Sequence, residues 1–185
     1  ALVAMSTLAL SLLTAGVQAK VIEKSFSVSE AGLLKLETQV GKLKISSHNQ
    51  DTVSVEVKVD GRNEDQFEVT FEQSGADVMI NGERDGNSHG NYNSSRLKVS
   101  YTIKVPSHDN LDLDTSGGSI SISDLSGKID AHTSGGSINL GRIDGLVDVH
   151  TSGGSINVDE VTGTINARTS GGSINATISQ QPTGD

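Results

Sequence analysis

The chain has 185 residues, room for one domain with a modest core; only 34% are hydrophobic and 3% aromatic, with 21 glycines and no Trp. Its formal net charge of −9 argues against nucleic acid as a partner, since neutralising phosphates takes a basic patch, and against an anionic lipid surface. So few large apolar side chains favour short strands and tight turns over the walls of an enzyme pocket, and the lack of Cys removes a lipobox, disulfides, zinc–thiolate sites and cysteine nucleophiles.

Residues 1–19 carry no charge. Their apolar stretch, Leu2 to Leu13, is too short for a membrane span and has the length of a signal-peptide core. It ends in Val17-Gln18-Ala19, which places cleavage between Ala19 and Lys20. The chain is therefore expected to be exported, to the periplasm or the cell surface, with no transmembrane segment in its mature part. An initiator Met and a basic leader are missing, so the sequence is expected to start inside a precursor.

Residues 20–110 alternate apolar and polar side chains without a fixed period. Leu34/Leu36/Thr38, Leu43/Ile45, Val53/Val55/Val57/Val59, Phe67/Val69/Phe71, Val78/Ile80 and Val99/Tyr101/Ile103/Val105 all read as strands. Every aromatic (Phe26, Phe67, Phe71, Tyr92, Tyr101) falls here. The region is expected to be an irregular β cap, interrupted by a polar loop from Arg84 to Ser95 and joined to the C-terminal half at Val105-Pro106-Ser107.

From residue 111 to 178 the chain repeats itself every 18 residues, Thr-Ser-Gly-Gly-Ser-Ile starting at Thr115, Thr133, Thr151 and Thr169. Each unit holds two halves that read apolar–polar–apolar, as in Leu111-Asp112-Leu113 and Ile120-Ser121-Ile122. Glycines mark the corners: Gly118, Gly136, Gly154 and Gly172 in one half, Gly127, Gly145 and Gly163 in the other. They are expected to supply positive backbone angles. Such units bury their apolar faces by stacking about 4.8 Å apart. The fold expected is all-β: a right-handed parallel β-solenoid with 18-residue, two-strand rungs, capped N-terminally by irregular strands. Aliphatic marks are not six apart, and Gly-Gly runs into Ser-Ile, so neither a hexapeptide helix nor a calcium-binding nonapeptide roll fits. Residues 179–185 form a tail without a cap. The tail is expected to be cut short, with further repeats following; the alternative is that the open end is an edge through which copies self-associate.

The alternating strands, the Val-Pro-Ser joint and Leu111-Asp112-Leu113-Asp114-Thr115-Ser116-Gly117-Gly118-Ser119-Ile120 with its copies resemble the putative-adhesin "toastrack" family of bacterial envelope proteins. The resemblance covers roughly Leu33 to Ser179. It implies β-strand repeats and, by the family's name, adhesion; it brings no catalytic residues.

Two polar columns run along the repeats: Asp112, Asp130, Asp148, Asn166, and beside it Asp114, His132, His150, Arg168. Carboxylates about 4.8 Å apart repel by roughly 1–3 kcal/mol per pair, which salt or the neighbouring His and Arg would offset. A calcium ion on Asp112, Asp130 and Asp148, with His132 or His150 nearby, is the metal alternative; a solvated face is the expectation. The Thr column is expected to bond along the stack. Ser116 and its copies lack a His–Asp partner and read as turn residues, while His48, His89 and His108 read as loop residues. No phosphate loop, paired-carboxylate or zinc motif is present. The reading is a non-enzymatic structural or adhesive module without a resident cofactor, its partner an envelope or surface protein or glycan. An extracellular polysaccharide-binding or polysaccharide-degrading β-helix is the alternative. Long loops and aromatic platforms would mark it, and the repeats carry neither.

Overall fold

The structure, a computed structural model, describes residues 19–28, 31–61, 64–84 and 97–180. The expected signal segment up to residue 18, the polar loop from 85 to 96 with His89, and the tail from 181 on lie outside the described residues.

Fourteen strands make one sheet: β1 (Lys20–Ser27), β2 (Leu33–Thr38), β3 (Lys42–His48), β4 (Thr52–Asp60), β5 (Phe67–Ser74), β6 (Asp77–Arg84), β7 (Lys98–Pro106), β8 (Asn110–Thr115), β9 (Ile120–Ile122), β10 (Leu125–Ser126), β11 (Ile129–Thr133), β12 (Ile138–Thr151), β13 (Ile156–Thr169) and β14 (Ile174–Gln180). Among the described residues a single 3-10 turn, Glu64–Gln66, is the only helical element. The sheet runs β1-β4-β7-β3-β9-β12-β11-β8-β2-β6-β5, with β10, β13 and β14 branching from this path through β12.

This order overturns the expected right-handed parallel β-solenoid. The sheet is mixed, nearly closed and barrel-like, with β4 antiparallel to both β1 and β7, and β5 antiparallel to β6. Nor are the N-terminal strands a cap. β2 lies between β8 and β6, and β3 between β9 and β7. The gap between the terminal strands β1 and β5 is bridged by side chains: the Phe26 and Phe71 rings lie 6.2 Å apart, and Gln73 Nε2 donates to the Ser27 carbonyl at 2.8 Å. Two short strands per repeat also fail as a rule, because β12 and β13 each run unbroken for 14 residues.

The physical reason lies in side-chain volume. The repeats line their interior with thin residues such as Ala131 and Val149, whereas the largest buried side chains, Tyr101 and Phe67, come from the N-terminal half. Both halves have to share one core for either to fill it. The inward columns Leu34/Leu111/Ile129/Val147 and Leu43/Ile120/Ile138/Ile156 are at most 3% exposed, and burying such a side chain contributes about 1.5–3 kcal/mol.

Within the repeats, parallel partners sit 18 residues apart, as in Ile129↔Val147 and Ile138↔Ile156. The register slips by one residue at Val161, which faces Ile178 instead of the polar Ser179, and shifts back at Thr162. The slip brings an aliphatic side chain to the Leu125/Ile143/Val161 column.

The corners differ from expectation at four of their seven glycines. Gly127, Gly145 and Gly163 have positive φ (155°, 149° and 132°), but Gly118, Gly136, Gly154 and Gly172 do not. Those four are confined by approach: a Cβ on Gly136 would run into the Gly118 carbonyl, one on Gly154 into Gly136, one on Gly172 into Gly154, and one on Gly118 into Gly41.

Candidate functional site

The threonine column ties these corners together. Thr133 Oγ1 donates to the Gly118 carbonyl, Thr151 Oγ1 to Gly136 and Thr169 Oγ1 to Gly154, each at 2.7 Å. Each hydroxyl also accepts the amide of its own corner glycine, at 3.3 Å from Gly136 and 3.2 Å from Gly154 and Gly172. The hydroxyls therefore bond to backbone rather than to one another, and Thr115, Thr133 and Thr151 are buried. Thr38 extends the column. It pairs with Thr115, donates to Val40 O and meets the Tyr101 hydroxyl at 3.1 Å. Burial pushes the Tyr101 hydroxyl pKa up to about 12, the Thr38 contact opposing.

Alternation along β8, β11, β12 and β13 turns two polar columns outward. Asp112, Asp130, Asp148 and Asn166 stand in register, and β2 adds Lys35 beside Asp112. Each carboxylate has its own partner. Lys35 Nζ lies 3.7 Å from Asp112, His132 Nδ1 lies 3.3 Å from Asp130 Oδ1, and Asn166 Nδ2 donates to Asp148 Oδ2 at 3.1 Å. Glu37, Asp114, His132, His150 and Arg168 form the second column. His132 and His150 face each other with ring centres 5.5 Å apart. Among the described residues no three His, Asp or Glu side chains converge on a metal position, and no buried side-chain polar atom lacks a partner.

The opposite corner carries a region the sequence reading passed over. Asp124, Arg142 and Glu160 occupy one column, 18 residues apart, alternating in sign. Asp124 Oδ1 accepts the Arg142 backbone N–H at 2.9 Å, and its Oδ2 takes the guanidinium at 3.0 and 3.2 Å. That backbone bond, then the guanidinium, holds the Asp124 carboxyl below the usual range. Beside the pair lies an open cleft of about 320 Å³ lined by Ser47, Ser126, Asp144 and Glu160 among others. A second, of about 390 Å³, shares Asp124 and adds Lys44, Asn139, Asn157 and Asp159. Along it Asn157 Nδ2 donates to Asn139 Oδ1 at 3.0 Å, and Asn175 Nδ2 to Asn157 Oδ1 at 3.1 Å. The 18-residue columns of the sequence give the amide ladder directly, as Ser121, Asn139, Asn157 and Asn175, and hold the ion pair as well. Of the remaining histidines, His48 Nε2 is bonded to Thr52 O at 2.7 Å, and His108 is exposed in the turn after β7.

No family model matches the chain, and none of the curated proteins does. Among solved structures, a putative cell adhesion protein from Clostridium sporogenes aligns with a TM-score of 0.60 at 13% identity, covering 87% of this chain and 100% of that one. The chain has that protein's fold. A putative adhesin from Parabacteroides distasonis aligns at 14% identity over 89% of this chain and 78% of its own, TM-score 0.44. Another from Bacteroides fragilis aligns at 14% over 88% and 96%, TM-score 0.35. These three neighbours, at low identity, are described as a putative cell adhesion protein and putative adhesins.

Proposed function

We propose that this chain is an exported, non-enzymatic module of the cell envelope with a structural or adhesive role. What carries the reading is its fold match with the Clostridium sporogenes protein, described as a putative cell adhesion protein, over that protein's whole length. The surface fits such a role. Columns of polar side chains repeat across neighbouring strands, so they offer an extended surface the same contact at successive levels. Contacts of this kind gain strength by number rather than by one deep pocket. The uncharged stretch ending at Ala19 supports export, with Lys20 as the mature N-terminus.

The test has two parts. Envelope and cytosolic fractions are probed for the protein, and its N-terminus is sequenced. Beads coated with the purified mature chain are then scored for retention on cells that normally make it. Envelope protein beginning at Lys20, with retention above uncoated beads, is expected. Uncleaved cytosolic protein would end the proposal.

One observation favours a glycan as what is gripped. The Asn139–Asn157–Asn175 ladder, beside Lys44 and Asp159 in the second cleft, keeps amide donors and acceptors free along its length. A glycan array decides it: Asn157→Ala should abolish any specific signal, and a silent array removes this second reading.

A further inference from the structure

We propose that His132 and His150 form a two-imidazole site for a late first-row transition-metal ion such as Zn2+, Ni2+ or Cu2+. The two side chains leave the same face of adjacent parallel strands, in register, with ring centres 5.5 Å apart and planes inclined by 49°. A metal–nitrogen bond of about 2.0–2.1 Å puts each ring centre about 3.2 Å from a bound ion, so two imidazoles at a tetrahedral angle have centres about 5 Å apart. The observed 5.5 Å is thus close to the spacing that two imidazoles take up on one ion. Strand pairing fixes the backbone positions beneath the two side chains, so the ion has only their rotamers to order.

The contact of His132 Nδ1 with Asp130 Oδ1 at 3.3 Å favours the tautomer that leaves Nε2 free to bind. Carboxylate-supported imidazoles are the usual form of a metal-ligating histidine. Asp148 holds the matching place two residues before His150, although Asn166 already donates to it. Asp114, next to His132 in the column, adds attraction for a cation, and Arg168, next to His150, opposes it. With no third His, Asp or Glu converging among the described residues, the other positions of the ion fall to water. Imidazole ligands select zinc, nickel and copper over calcium, which takes oxygen ligands. The proposal does not rest on the adhesive reading.

The test is calorimetric titration of the untagged mature chain with zinc and nickel chlorides, calcium chloride run in parallel. One saturable transition ion per chain is expected. His132→Ala and His150→Ala should each weaken binding at least tenfold, Asp130→Asn severalfold, and Arg168→Gln should strengthen it. His108→Ala should leave it unchanged. Circular dichroism of the metal-free variants shows whether each still folds; His132→Gln and His150→Gln replace any that does not. Lack of saturable binding, or binding that survives both histidine substitutions, would overturn the proposal. So would displacement of zinc by equimolar calcium, since that would make the site one of carboxylates.

Discussion

Gly135 and Gly136 are neighbours in the same corner, yet they answer to different constraints. A Cβ on Gly135 would have its nearest neighbour at 3.7 Å, in ordinary contact, whereas on Gly136 it would collide with the Gly118 backbone. Gly136→Ala is expected to cost roughly 2–3 kcal/mol and Gly135→Ala less than about 0.5 kcal/mol, read as urea midpoints. Equal losses would mean that the corners are not packed backbone to backbone. The sequence showed that glycine was needed here but not why, because a close approach belongs to the neighbouring level and leaves no local mark. Asp109 poses a different question. It is 1% exposed, and its Oδ1 accepts the Gly32 N–H at 2.9 Å. Burial raises its pKa, and Asp77 adds to this, against the Gly32 bond and the charge of His48. The folded state therefore holds the proton more tightly than the unfolded chain. Asp109's contribution to stability is fullest below its unfolded pKa of about 3.9 and falls as pH rises toward its folded value. In urea titrations from acid to neutral pH, wild type should lose ground to Asp109→Asn through that window. A constant difference would refute the linkage.

At the scale of strands and columns, stability comes from side chains that serve two levels at once. Thr151 satisfies the Gly136 carbonyl and the Gly154 amide together. Thr151→Val leaves both without that partner and is expected to cost about 2 kcal/mol, with Thr151→Ser closer to wild type in thermal melts. The aspartate column behaves otherwise, since Asp130 is 40% exposed and its gain from His132 competes with repulsion from Asp112 and Asp148. Asp130→Asn should change stability by no more than about 0.5 kcal/mol. Calcium should raise the melting temperature no more than sodium chloride at matched ionic strength. A calcium-specific rise abolished by Asp130→Asn would favour the carboxylate site instead. The polar columns were legible because their period is fixed, but the level formed by β2 and β3 was not recognised. Leu34-x-Leu36-x-Thr38-x-x-Gly41-x-Leu43-x-Ile45 has the spacing of Leu111 to Ile122, and both strands pair with the repeats at one offset, Leu34↔Leu111 and Leu43↔Ile120. Without Ser-Gly-Gly the match hides among ordinary alternating residues.

For the molecule as a whole, the strand content of both halves could be read from alternation, and their joining could not. Alternation says which face of a strand is buried, not which strand lies beside it. Val53 to Val59 and Val99 to Val105 both carry unbroken apolar columns against the same interior, and their antiparallel pairing is a choice made in three dimensions. The mixed sheet makes the repeats dependent on the N-terminal half. Residues 107–180 alone would lose the β2 and β3 neighbours of β8 and β9, the Gly41 carbonyl that receives Thr115 Oγ1, and the side chains of Tyr101 and Phe67. That fragment is expected to lack a cooperative melt by circular dichroism, while the chain from Lys20 melts as one unit. A fragment that melts cooperatively would restore the N-terminal half to the status of a cap.

The constant 18-residue register across β12 and β13 also bears on how such a gene can change. A tandem duplication of the codons for Val147–Thr164 would insert a level that keeps every apolar column and the Ser-Gly-Gly corner in register, at the expense of stacking Glu160 on its own copy. Length can therefore change by whole 18-residue units without passing through an unfolded ancestor. A chain carrying that duplication should fold and melt cooperatively, whereas an insertion one residue shorter should not, since it turns every later side chain to the wrong face.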